Sequence, residues 1–246
     1  MKPWSVVLPG TLICLLAASL LVASPARARE ADDDIPGVPI PASPVQGYLD
    51  ANADRVDVYS LSMRKGDRLR LVMNGQSSMD NPQICVYGPG SMGVQTTDPV
   101  AGLYCFDFPG VLRYTATTGG THYVAVAIWF DDWDDYGNYT LAWTNKSPTI
   151  TRLTTKSKTI TAGRSTEVAG VLKYAFGDAG IADKTARLEA SRTGSKWTKV
   201  KSKKTSATGT FSFTVRPAVS RYYRVRFTGT TSFLASKSAR IRITVR

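Results

Sequence analysis

Apolar residues in this chain recur at every second position, and no useful stretch repeats them at the helical interval. Side chains of a strand point alternately to the two faces of a sheet, so this period selects half-buried strands. Tyr59, Leu61 and Met63 alternate with Ser60 and Ser62. After a turn at Lys65-Gly66-Asp67, Leu69, Leu71 and Met73 alternate with Arg68 and Arg70. Val111 to Thr115 and Tyr123 to Phe130 read as strands separated by Gly119-Gly120, and Tyr139, Leu141 and Trp143 close the series. Later, Phe211, Phe213 and Val215, then Tyr223, Val225 and Phe227, then Ile241, Ile243 and Val245 alternate with polar or basic residues. Short strands about 10 residues apart, punctuated by Gly and Pro, predict an all-β chain built as β-sandwiches. The Tyr123–Phe130 strand is apolar on both faces and is expected at the centre of its sheet.

The first segment reads as an export signal. Lys2 supplies the positive start, Leu12 to Val22 the apolar run, and Ala26-Arg27-Ala28 the small-x-small cleavage pattern. An uncleaved anchor is the alternative, but Pro9 and Gly10 cut the run below the roughly 20 residues that a spanning helix needs. Ile13 sits where lipid attachment at Cys14 wants a small residue. The mature chain is therefore expected to be secreted, without a membrane span. It ends on a strand with no sorting motif, so any surface attachment is expected to be non-covalent.

Charge divides the remainder. Residues 29–147 hold 8 Lys/Arg against 15 Asp/Glu, a net of −7, whereas residues 148–246 hold 21 against 4, a net of +17. Asymmetry of this size bears on partners rather than on fold. The division falls at Asn145-Lys146-Ser147-Pro148, a polar turn. The expected organisation is a signal peptide at 1–28, an Asp/Pro-rich extended leader at 29–44, a sandwich at 45–147 and a basic sandwich at 148–246. About seven strands in the last segment match the size and count of an immunoglobulin-like domain.

Export leaves Cys85 and Cys105 as the only cysteines, each in an apolar run. The pair reads as a disulfide, ahead of a metal pair or a catalytic thiol. Closing a loop of about 20 residues stabilises a fold by roughly 3 kcal/mol.

Residues 45–144 resemble the bacterial pre-peptidase C-terminal domain. The resemblance lies in Asp57-Val58-Tyr59, Leu61, Gly66-Asp67, Leu69 to Met73, Val86-Tyr87, Gly120, Tyr123 and Gly137-Asn138-Tyr139-Thr140-Leu141. It implies a jelly-roll-like sandwich appended to secreted proteins, often proteases, as an accessory module; no protease domain accompanies it here. The second half is similar to Ig-like repeats of secreted bacterial proteins, in Thr205 through Phe213, Pro217 through Val225, Gly229 and Ser238. That family supplies stalks and adhesive modules. Neither resemblance carries an active site.

The sequence holds no Gly-x-Ser-x-Gly elbow, phosphate loop or paired His/Cys zinc pattern, so no enzyme is expected. His122, the one histidine, reads as a partly exposed strand residue. Asp131, Asp132, Asp134 and Asp135, interleaved with aromatics, suit Ca²⁺ by ligand type but not by EF-hand spacing. A solvated hairpin is the blander reading of that run, and no cofactor is otherwise expected.

The basic half offers the stronger candidate. Alternation sends Ala186, Leu188, Tyr223, Val225, Ile241 and Ile243 inward and Arg187, Arg224, Arg226, Arg240 and Arg242 outward. Only Glu189 offsets them. The same alternation puts Trp197, Lys199, Lys201 and Lys203 on one side. Such a face fits an anionic cell-wall polymer, an acidic polysaccharide or extracellular DNA. The alternatives are an accessory or inhibitory partner of a secreted protease, a structural spacer of the cell envelope, and a solubility surface or cradle for the acidic half.

Overall fold

The computed structural model describes residues 32–76, 79, 82–105, 108–128 and 135–246. The export segment at 1–28 lies outside them. No helix occurs among the described residues, so none is long and apolar enough to cross a membrane. The all-β expectation holds, and the strands form two pairs of sheets.

The first pair is built from β1 (Val38–Pro39), β2 (Val45–Asp50), β3 (Val56–Met63), β4 (Arg68–Gly75), β5 (Gln83–Tyr87), β6 (Ala101–Tyr104), β7 (Gly110–Thr115), β8 (Gly120–Ala127) and β9 (Tyr136–Lys146). One sheet runs β1-β3-β8-β5-β6 and the other β2-β9-β4-β7. The predicted alternation places Tyr59, Leu61 and Met63 of β3 and Leu69, Leu71 and Met73 of β4 in the core between them. β8 lies centrally between β3 and β5, as its two apolar faces require. Val124 and Val126 face the core, while Ala125 and Ala127 join Val58, Cys85, Tyr87 and Val94 in a second cluster on the far side of the sheet.

Residues 32–44 of the leader lie along the sandwich. The Val58 amide donates to the Asp32 carbonyl at 2.6 Å, and the Val94 amide to Asp34 Oδ1 at 2.8 Å. β1 pairs in parallel with β3, and the Trp143 indole donates to the Pro41 carbonyl at 2.9 Å. Ile35 packs on the far-side cluster. Prolines at a sheet edge lose no ladder bond, so this composition is compatible with docking. An apolar sheet face needs a cover, and the leader supplies part of it.

The second pair comprises β10 (Thr149–Thr155), β11 (Thr159–Ile160), β12 (Thr166–Tyr174), β13 (Thr185–Ser191), β14 (Thr198–Lys204), β15 (Thr210–Val215), β16 (Arg221–Phe227), β17 (Ser236–Lys237) and β18 (Ile241–Val245). The sheets are β10-β12-β15 and β11-β18-β16-β13-β14, with β17 on β16. In immunoglobulin lettering these are A-B-E and A′-G-F-C-C′, the Ig-like arrangement. Val168, Leu172, Leu188, Phe211, Phe213, Val225 and Ile243 fill the space between.

The two sandwiches belong to one compact unit. The Arg64 guanidinium stacks 3.8 Å from the centre of the Tyr174 ring. Ser147 donates to the Ser232 carbonyl and accepts from the Leu234 amide, both at 2.9 Å. Gly66, at φ +83°, serves both the predicted turn and this junction, since a Cβ there would stand 2.1 Å from the Phe176 ring.

Candidate anion-binding surface

The outer face of the β18-β16-β13-β14 sheet carries the basic residues that alternation sends outward. Their inward neighbours Ala186, Leu188, Tyr223, Val225 and Ile243 are buried, and Ile241 packs at the edge of the core. Register lines the outward residues into rows. Arg187 is directly opposite Arg226, which is opposite Lys237 of β17. In the next row Arg224 is opposite Glu189, itself opposite Lys199; in the third, Arg242 is opposite Tyr222.

These cations are not equivalent. Arg224 Nε donates to Glu189 Oε2 at 2.7 Å, where Glu189 is only 5% exposed. The same guanidinium lies 4.1 Å from the centre of the Trp197 ring. Arg224 is therefore held by the protein itself, through an ion pair and a cation–π contact. Arg240 and Arg242 flank the Tyr222 ring at 5.1 and 5.7 Å. Among the described residues no acidic group pairs with Arg187, Arg226, Lys199 or Lys237. Arg224, Arg226, Phe227, Ala235, Ser236 and Lys237 line a groove of about 360 Å³.

Strand β14 departs from the expected alternation. Glu189 is opposite Lys199 but Leu188 is opposite Lys201, so Val200 is the extra residue of a bulge. Lys199 and Trp197 stay on the arginine face. Lys201 and Lys203 fall in register with inward-facing Leu188 and Ala186 and hang over the sandwich rim. Lys201 Nζ donates to the Thr214 carbonyl at 2.9 Å. Lys203 lines a separate groove of about 700 Å³ with Arg152, Thr154, Phe211 and Ser212. One side of β14 thus holds two of its expected cationic residues elsewhere, and an ordinary valine gave no signal of it.

The cysteines are a further correction. Cys85 and Cys105 are free, buried thiols. Cys85 is in register with Gly102, three positions short of Cys105, a separation of about 10 Å along a strand. They also occupy different clusters, Cys85 on the far side of the sheet and Cys105 in the core. A disulfide spans Cα atoms only up to about 7 Å apart, so these two do not pair. Burial pushes both thiols up to about 11.

Asp131, Asp132 and Asp134 lie outside the described residues. Asp135 is buried, and its carbonyl accepts from the Ala51 amide at 2.9 Å. No cluster of three or more metal-ligating side chains occurs among the described residues.

His122 is fully buried rather than partly exposed. Its Nε2 lies 3.3 Å from the Tyr114 hydroxyl and its Nδ1 3.2 Å from the Gly120 carbonyl. Burial lowers its pKa. Sequence reasoning also passed over a polar group inside the first core. The Tyr139 hydroxyl donates to Asp57 Oδ2 and stands 2.7 Å from the Tyr59 hydroxyl. Burial pushes Tyr59 up to about 12. The Gly47 position makes room for the Tyr139 ring, which a Cβ would approach to 2.3 Å.

No family model matches the chain, and no curated protein does. Among solved structures, the chain is similar to a periplasmic inhibitor of g-type lysozyme from Aeromonas hydrophila at 16% identity, covering 45% of this chain and 96% of that one, with a TM-score of 0.38. It is similar to the adhesin domain of Epf from Streptococcus pyogenes at 8% identity, covering 82% and 76%, with a TM-score of 0.37. Fibronectin(III)-like modules of Clostridium thermocellum CbhA give 12% identity, 77% and 92% coverage, and a TM-score of 0.36.

Proposed function

We propose that this is a secreted, non-catalytic binding protein whose second sandwich holds an anionic polymer on its open arginine face. One observation carries the reading. Arg187, Arg226 and Lys237 stand side by side across three strands with no acidic partner among the described residues. Like charges directly opposite each other destabilise a sheet by fractions of a kcal/mol per pair. A bound polyanion removes that repulsion, and guanidinium geometry suits phosphate and sulfate oxygens. Wall teichoic acid, acidic polysaccharide and extracellular DNA all have the required chemistry. Arg224 has a positioning role in this reading, because Glu189 and Trp197 already engage it.

The test is to replace Arg187, Arg226, Lys237 and Arg242 with serine in the full secreted chain. Retention on teichoic acid, heparin and DNA is then measured against salt. Loss of four phosphate contacts flattens the slope of log K against log salt by about 3. Unchanged retention on all three resins overturns the reading. Co-purification of a secreted protease through residues 45–144 would instead favour an accessory role.

A further inference from the structure

The first sandwich, although acidic in total, carries a compact basic patch that its charge balance conceals. On the outer face of the β2-β9-β4-β7 sheet, Arg68 is directly opposite Lys146 and Thr115, and Arg70 is directly opposite Arg113 and Thr144. Positions i and i+2 of a strand are about 7 Å apart and neighbouring strands about 4.8 Å apart. Four cations therefore share two adjacent rows. Arg68, Arg70 and Arg113 are exposed, and none of the four has an ion-pair partner among the described residues.

All four line one groove of about 500 Å³. Its wall includes Leu234 of the second sandwich, whose amide is tied to the Ser147 carbonyl. The next residues, Ala235, Ser236 and Lys237, line the groove that holds Arg224 and Arg226. A single segment of chain, 234–237, thus borders a basic groove of each sandwich. Three residues of extended chain span about 10 Å, the scale of one or two repeats of a phosphate- or sulfate-bearing polymer.

We infer that Arg68, Arg70, Arg113 and Lys146 form a second anion-binding site, which takes the same polymer as the arginine face of the second sandwich. The inference rests on the function proposed above and adds a site from the other half of the molecule. Two sites on one polymer act through effective concentration, so a long chain binds far more tightly than a fragment that reaches one site.

The experiment uses the full secreted chain and three variants: R68S/R70S/R113S, R187S/R226S/K237S and the two sets combined. Binding to teichoic acid (phosphate) and heparin (sulfate) is measured, each as long chains and as fragments too short to reach both grooves. Loss on one polymer and not the other identifies which anion the site takes. The first variant is expected to bind long chains at least tenfold more weakly and to lose about 2 from the salt slope. Replacing the same three arginines by lysine is expected to keep that slope, which separates charge from folding. If only the second set weakens binding, the proposed function stands and this second site is overturned. If only the first set weakens binding, the arginine face loses its assigned role and the polymer shared between the two sites is overturned with it. If neither does, both are overturned.

Discussion

In the first sandwich the β1-β3-β8-β5-β6 sheet is covered on both sides, whereas in the second the β11-β18-β16-β13-β14 sheet is covered on one. Their residues differ accordingly. β8 of the first presents valines to one side and alanines to the other, and the far side is closed by Ile35 and Val94. β16 of the second presents Tyr223, Val225 and Phe227 inward but Tyr222, Arg224 and Arg226 outward. A covered face gains from losing apolar surface to solvent, so it tolerates no unpaired charge. An open face gains little from any side chain and is available for binding. The first sheet thus buries apolar side chains on both faces, and the second on one.

The sharpest way to break this comparison is to place the same carboxylate on each face. Val58→Asp buries an unpaired charge in the far-side cluster and is expected to cost about 4 kcal/mol or more. Arg226→Asp, on the open face, is expected to stay within about 0.5 kcal/mol of wild type. Urea unfolding measures both. A comparable loss at the two positions would mean that the open face is covered after all.

A smaller effect distinguishes the two ion-pair settings of the second sandwich. Glu189→Ala leaves the partly buried Arg224 without its carboxylate and is expected to cost about 2 kcal/mol. Lys204→Ala removes a partner of Asp183 in a pair whose two side chains are both well exposed, and no measurable change in the urea midpoint is expected. Equal effects would remove the distinction between Arg224 as a held residue and its free neighbours.

A pH-dependent effect concerns the two thiols, which only the covered sandwich contains. Folding raises each from 9.0 to about 11, so the unfolded chain ionises first as the medium becomes alkaline. Their contribution to stability is whole below pH 9 and is lost as pH rises toward 11. Between pH 8 and pH 10 the urea midpoint of the wild type should therefore fall further than that of a Cys85→Ala/Cys105→Ala variant. Native thiols should also resist labelling until the protein is unfolded. Parallel midpoint curves, or rapid native labelling, would place the cysteines outside the closed clusters.

Much of the arginine face was legible in the sequence because its signal is local. Alternation over β13, β16 and β18 put Arg187, Arg224, Arg226, Arg240 and Arg242 opposite the core residues without reference to any neighbour. Lys201 and Lys203 were misread because a bulge is a property of two strands together, and Val200 looks like any other strand residue. The disulfide was misread for the same reason. Counting cysteines says nothing of register, and register puts Cys85 and Cys105 about three residues apart on opposite sides of their sheet. The patch at Arg68, Arg70, Arg113 and Lys146 escaped notice because its members are distant in sequence and lie within a half whose net charge is −7.

By itself the sequence determined that the chain would be all-β, which strand would be central, and which side chain of each regular pair would face the core. Facing follows from the two-residue period of a strand and the central place of β8 from its two apolar faces, and both are readable in one strand alone. Only the tertiary structure decided that the Asp/Pro-rich leader would cover a sheet, that the thiols would stay apart, and that Leu234 to Lys237 would border a basic groove on each sandwich. Those outcomes depend on which strands pair and where they align, and pairing links residues whose separation along the chain leaves no local trace.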